Sequence, residues 1–296
     1  MLKKKFFNYK LIIHLIFILL CAGFLIPFLY VISLSVTPED IITGQGYKLI
    51  PREVDFAAYK FIFADPTQLV DSYKTTILFS CIGTALSMVF MTMIGYAISR
   101  SQFTARRVVT FFVYFTMRFS GGMVPSYMIN TKYLGLTDSF WVYILPALAS
   151  AYHILILRTF FQGIPSSLME AAKIDGASEM KIFRIIALPL SKPVLATVAL
   201  LTLLNKWNDW QTSLLYINEE KLYSLQYLLQ KILRETEFIE QMSKDVTLNV
   251  SVATDSSPIE GMRFAMAILA AGPMMIIFPF FQKYFTRGLT IGAVKG

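Results

Sequence analysis

Residues 162–192 read QGIPSSLMEAAKIDGASEMKIFRIIALPLSK. The stretch is amphipathic and punctuated at orderly intervals. Pro165 and Ser166 end the apolar run before it. Ser167-Leu168-Met169-Glu170 has the form of a capping box, in which a Ser and a Glu three residues on satisfy free backbone N–H groups at a helix start. The spacing predicts a short helix that ends at Gly176. A second is expected from about Ser178, with Ile182, Phe183, Ile185 and Ile186 at helical spacing and a stop at Leu188-Pro189. Ala171, Ala172 and Ala177 would let another protein approach closely, with Glu170, Lys173 and Asp175 as charged contacts. The same pattern suits a helix lying on lipid at a membrane surface.

On both sides of this segment the chain turns apolar. Runs at 11–36, 73–98, 108–128 and 140–161 precede it, and runs at 193–217 and 262–282 follow it. Each is about the length a helix needs to cross the roughly 30 Å hydrocarbon core of a bilayer. With 55% hydrophobic and 16% charged residues and a mean hydropathy of +0.57, an ordinary soluble domain is excluded. The expected fold is an all-α integral membrane protein of six transmembrane helices, forming one domain over 1–296 with segment 162–192 between the fourth and fifth. An even count puts both termini on one side of the membrane.

Basic residues near helix ends are retained in the cytoplasm, so the flanks decide which side that is. The side holding the N-terminus, 100–107, 158–192 and the C-terminus carries fifteen Lys and Arg against three acidic residues, and the other carries ten against fifteen. Both termini are therefore expected in the cytoplasm. The net charge of +8 reflects this topology and calls for no nucleic-acid partner. The basic start, Lys3 to Lys5, before a long apolar run reads as an uncleaved signal anchor. Cys21 and Cys81 fall inside predicted spans and are expected to act as small core hydrophobes.

Polar groups inside spans are costly and should face a cavity or one another. They are Arg118 in the third span and Asn205, Lys206, Asn208 and Asp209 in the fifth, the last group flanked by Trp207 and Trp210. Amides and charges beside aromatic rings suit a sugar, whose apolar faces stack while its hydroxyls hydrogen-bond. Asn205, Asn208, Asp209, Trp210 and Arg118 are the candidate substrate or pore residues, with helix packing and gating as the other reading. Gly121, Gly122 and Pro125 should interrupt the third helix, either lining a pore or admitting a neighbouring helix. His14 and His153 have no second ligand at metal-binding spacing, so no metal site is expected. No nucleophile-base pair, phosphate loop or zinc motif appears.

The run Glu170-Ala171-Ala172-Lys173-Ile174-Asp175-Gly176-Ala177, with Ile186, Leu188 and Pro189, resembles the EAA loop of ABC importer permeases. The ending from Arg287 to Gly296 resembles the tail of the smaller permease of maltose-type importers. Phe119 to Pro125 and Phe278 to Phe285 are similar to permeases for complex oligosaccharides and alginate. This resemblance implies a type I ABC importer permease for sugars, not itself an enzyme, in the bacterial cell membrane. It implies a second homologous permease, two ATPase subunits that bind ATP and Mg, and an extracellular lipid-anchored or periplasmic sugar-binding protein, the chain itself holding no cofactor. Glu170, Ala171, Ala172, Asp175, Gly176 and Ala177 would form the coupling helix that docks on an ATPase. Gly288, Thr290, Gly292 and Lys295 would lie at the ATPase interface. An ion-coupled secondary transporter and an integral-membrane enzyme are the competing classes. Asp209 is the one carboxylate in a predicted span and no half-to-half symmetry is visible, which counts against the first. No catalytic cluster stands for the second.

Overall fold

The computed structural model describes residues 2–64, 66–245 and 258–293, and among these every regular element is helical. In chain order the α-helices are α1 (Leu2–Ser35), α2 (Glu39–Gln45), α3 (Ala57–Ile62), α4 (Thr67–Ser99), α5 (Arg106–Arg118), α6 (Met123–Met128), α7 (Ala151–Gln162), α8 (Ser166–Ile174), α9 (Glu179–Ile182), α10 (Leu188–Leu190), α11 (Lys192–Trp207), α12 (Gln211–Tyr216), α13 (Leu225–Asp245) and α14 (Ile259–Ala293). Tyr9–Ser35, Thr67–Ser99 and Glu260–Gln282 are each long and apolar enough to cross a membrane, and Glu179–Leu190 with Lys192–Trp207 forms a further apolar pair bent by 81°.

The other expected spans are interrupted, each for a local reason. The run 108–128 is α5 and α6, parted at 119–122, where Gly122 takes a φ of 88° that a residue with a side chain rarely adopts. The run 140–161 is not one helix. A 3-10 turn at Phe140–Tyr143 leads into an irregular stretch containing Pro146, and α7 starts only after Ser150, whose hydroxyl accepts the His153 N–H. The run 193–217 breaks at 208–210, where the Asp209 carboxylate accepts the Thr212 N–H of the first turn of α12 at 3.0 Å.

The chain forms two compact units, residues 1–67 with 229–272 and residues 68–228 with 273–296. In the first, polar side chains tie down the loops after α1. Ser33 Oγ donates to the Lys48 carbonyl at 3.1 Å, and Tyr59 OH to Ser35 Oγ at 3.0 Å. The Glu39 carboxylate accepts the Glu260 and Gly261 N–H groups at 3.0 and 3.1 Å, placing an anion at the start of α14 as the helix dipole favours.

The second unit is built along α4. At one end Phe79 stacks on Tyr143 with ring centroids 4.3 Å apart, amid buried Leu136, Ile144 and Tyr216. At the other, Tyr96 packs among Ile154, Leu157, Phe161 and Phe183. Gly95 sets the approach of α7, since a Cβ there would lie 3.0 Å from Leu157 Cβ and 3.3 Å from the Ile154 carbonyl oxygen. Asp138 holds a φ of 52° in the turn before the 3-10 helix. Its carboxylate accepts the Asn218 backbone and side-chain N–H groups and the Glu219 N–H, which holds that carboxyl below its usual range.

Cys21 and Cys81 are both exposed, which corrects the expectation that they lie in the core. Each belongs to a long apolar helix, and on such a helix side chains can face lipid as readily as protein, a choice that hydropathy does not reveal.

Candidate functional site

Two places in the second unit gather functional chemistry. The first is a cavity of about 220 Å³ between α4, the irregular stretch 144–150, α7 and α11, lined among others by Tyr143, His153, Thr202, Asn205, Lys206 and Asp209. Its floor exists because 144–150 is not helical, which leaves carbonyl groups free to face inward. Lys206 is only 5% exposed, and its ammonium lies 3.5 Å from the Tyr143 carbonyl and 3.4 Å from that of Ala147. Gly83 on α4 makes room for the Lys206 stem, because a Cβ there would sit 2.9 Å from Cε. His153 Nδ1 is 3.4 Å from Thr202 Oγ1, which itself donates to the Val198 carbonyl at 2.8 Å. Tyr143 OH pairs with Ser213 Oγ at 2.6 Å and donates to the Leu222 carbonyl at 2.7 Å.

Of the candidate substrate or pore residues, this cavity brings together Asn205 and Asp209 and leaves out the others. Asn208 ends α11, exposed, with its amide oxygen accepting from Gln226 Nε2 at 3.3 Å. Trp210 is half-buried at the start of α12, and Arg118 is exposed at the end of α5. Tyr143 and His153 also line it and were missed, whereas Lys206, expected to face a cavity or another polar group, lies at this one. The cost of an ammonium in an apolar span was the signal for Lys206, since such a group must find oxygen atoms nearby.

The second place is segment 166–190. α8 ends at Asp175, Gly176 turns the chain with a φ of 77°, and Ser178 caps α9 by accepting the Lys181 N–H. The expected capping box does not form. α8 begins at Ser166 directly after Pro165, without a side-chain cap bond, so Ser167 is already its second residue and Glu170 lies too far along to reach back. The helical path also continues past Leu188 to Leu190, with a wider π turn over Phe183–Ala187. Pro189 is tolerated there, near the start of a new helical stretch.

α8 shows two faces. Met169 is 2% exposed, whereas Glu170, Ala171, Asp175 and Gly176 are exposed, Ala172 and Ala177 are half-buried, and Ile174 is 86% exposed. Sequence reasoning missed Ile174, although an isoleucine beside the turn of so short a helix has little core to enter. Behind the exposed face, Glu179 accepts from Lys173 Nζ at 2.6 Å and from Tyr96 OH at 3.0 Å, and lies 3.4 Å from Arg100 Nε. Burial raises the Glu179 pKa, but these hydrogen bonds and the charges of Arg100 and Lys173 outweigh it and hold the carboxyl below its usual range.

Gly288, Thr290 and Gly292 fall within α14, which extends to Ala293, and Lys295 lies outside the described residues.

The chain is 36% identical to the polygalacturonan/rhamnogalacturonan transport system permease protein YtcP of Bacillus subtilis (strain 168), over 95% of each. It is 29% identical to the arabinooligosaccharides transport system permease protein AraQ of the same organism, over 99% of this chain and 98% of that one. Among solved structures it resembles a chain of a bacterial ABC transporter involved in the import of the acidic polysaccharide alginate, with a TM-score of 0.79 and 29% identity over 94% of this chain and 96% of that one. Residues 91–291 match the binding-protein-dependent transport system inner membrane component family, and the chain belongs to that family.

Proposed function

We propose that this protein is a transmembrane permease subunit of an ATP-driven importer of oligosaccharides, and that α8 is its coupling helix. The observation that carries the reading is the form of α8. It is a short helix turned back at Gly176, with Met169 anchored beneath and Glu170, Ala171 and Ile174 presented outward. Small side chains around one exposed isoleucine fit a cleft on a partner protein, and a desolvated apolar anchor is where binding energy concentrates. The partner is an ATPase subunit, and Glu170 pairs with one of its basic groups.

The similar proteins are named for polygalacturonan/rhamnogalacturonan, arabinooligosaccharides and alginate, which supports a saccharide as cargo. Family membership favours this over an ion-coupled secondary transporter. The chain acts as one transmembrane domain beside a second permease, with a binding protein delivering the sugar. In this reading the broken runs 108–128, 140–161 and 193–217 are the third, fourth and fifth of six crossings, and both termini are cytoplasmic. Asn205 and Asp209 face the sugar path. Asn208, Trp210 and Arg118 act along the same path or against the partner permease. Gly288, Thr290, Gly292 and Lys295 reach the ATPases, which carry the ATP and Mg.

The test is uptake of a galacturonan oligosaccharide by cells holding the complete transport system with Glu170→Lys or Gly176→Asp in this chain. Charge reversal at Glu170 sets an ammonium against a cation, and an aspartate in place of Gly176 is strained at a φ of 77°. Both variants should assemble in the membrane and lose at least about ten-fold in uptake, the first through one lost charge-assisted contact and the second through a displaced turn. Uptake at the wild-type level in both would refute the docking role.

A further inference from the structure

We infer that Arg100, Glu179 and Lys173, with the Tyr96 hydroxyl, form a latch that makes α8 and the end of α4 move as one body. The inference rests on the reading of α8 as the helix that receives force from the ATPase. It concerns residues outside the docking face.

The argument begins at Gly176. A glycine at a positive φ forms a tight turn cheaply and also bends easily, so the backbone alone would let α8 swing relative to α9. The turn has its own backbone bonds, Gly176 N–H to the Lys173 carbonyl at 3.0 Å and Ala177 N–H to that of Ala172 at 2.9 Å, but these all lie within the bend. Glu179 closes the turn from outside. Its carboxylate holds Lys173 on α8 from its place as first residue of α9.

Arg100, just beyond α4, brings in the third element. Its side chain is 14% exposed, and a guanidinium so far from water requires partners. Nε stands 3.4 Å from Glu179 Oε2, Nη1 contacts the Met169 sulfur under α8, and the guanidinium carbon lies 5.7 Å from the Tyr96 ring centre. The Tyr96 hydroxyl donates to the same carboxylate oxygen, and its ring packs against Phe161 and Phe183. One carboxylate thus joins α8, α9 and α4.

Next to this cluster, packing gives way to a cavity of about 370 Å³, lined among others by Met93, Arg100, Phe103, Glu179 and Met180. Side chains do not fill the gap between α4 and α9 there. The polar cluster adds to the contact between the Tyr96 and Phe183 rings in joining α9 to α4, and a push on α8 reaches α4 through Arg100 and Glu179. Both are positioning residues, since neither stands on the docking face.

Cys81, exposed on α4 and far along it from the cluster, is a native reporter. In the purified complete transporter with Cys21→Ser in this chain, a bimane fluorophore on Cys81 should change its emission between the nucleotide-free state and the state trapped with ATP, Mg and vanadate. Arg100→Met and Glu179→Ala should each abolish that change in complexes that still assemble and hydrolyse ATP. The double variant should behave as either single one, because groups acting as a unit are not additive. Tyr96→Phe, which keeps the ring packing, should reduce the change. A lost fold alone would lower the amount of complex without silencing Cys81 in the complexes that form.

The latch is overturned by a full response in both single variants, or by a wild-type transporter in which Cys81 ignores nucleotide. Glu170→Lys separates the latch from the docking reading. If it silences Cys81 while the latch variants do not, docking stands and the latch falls. A silent Cys81 in the latch variants with a normal response in Glu170→Lys leaves the latch standing and removes Glu170 from docking.

Discussion

Lys206 and Glu179 each place a charge beside a cavity, and the protein holds them in opposite ways. Lys206 is buried, its ammonium facing two main-chain carbonyl groups and its stem resting on Gly83. Glu179 is half-exposed, and the groups that meet its carboxylate are side chains. A charge solvated by backbone is fixed with the fold, because its partners can move only if the chain does. A charge solvated by side chains can exchange partners while the helices stay formed. The first arrangement suits a wall that keeps its shape, and the second suits a joint.

Removing the buried cation should have the largest effect. Lys206→Ala enlarges an existing cavity and should lower stability by about 3 kcal/mol, in the range of large-to-small core substitutions. Lys206→Met keeps most of the stem and should lose about 1 kcal/mol. Thermal unfolding of the solubilised transporter would measure both, and equal losses would assign the stability to the ammonium rather than to its packing.

Tyr143→Phe attacks the same wall from the other side. The stack on Phe79 survives, but the Leu222 carbonyl and Ser213 lose their hydroxyl partner in a buried setting, at a cost of about 1 to 2 kcal/mol by the same melting measurement. A neutral result would mean that water replaces the hydroxyl and that this wall is looser than its geometry suggests.

Glu179→Gln should have the smallest effect on stability, a few tenths to about 1 kcal/mol, because partly exposed ion pairs are screened by water. The sign of its pH dependence follows from the depressed pKa. Stability from this carboxylate is fully present above the unfolded pKa of about 4.3 and is lost as pH falls through the lower folded value. The melting gap between wild type and Glu179→Gln should therefore be constant from about pH 6 to 8 and close below about pH 4. A gap that closes near neutrality would count against a carboxylate held by cations.

The legible features were those set by neighbours in the chain. Gly176 and Ser178 announced a turn and a helix start, and Gly121-Gly122 announced the break between α5 and α6, because φ preferences and caps act over a few residues. The absent capping box is a local failure of another kind, since Pro165 took the cap position two residues before Ser167 and put Ser167 and Glu170 out of phase. The illegible features join distant positions. Lys206 meets carbonyl groups about sixty residues away, and Glu179 meets Arg100 and Tyr96 from about eighty. Hydropathy marked 140–161 as one span because it does not register that carbonyl groups freed near Pro146 can be satisfied by an amine from another helix. Glu179 looked like an ordinary charge at a helix start, and its side chain does help begin α9, which concealed the second role.

The notch at Gly83 also bears on how this sequence can change over generations. A Cβ at position 83 would fall within 3.0 Å of three atoms of the Lys206 side chain. The two positions are thus sterically coupled, although more than a hundred residues separate them. An alanine at 83 is admitted once 206 is shortened or redirected, and a long side chain at 206 persists only over a bare backbone. A lineage crossing from one solution to the other meets the least crowding when the shorter side chain at 206 comes first, since otherwise the Lys206 tip must shift to admit the new Cβ.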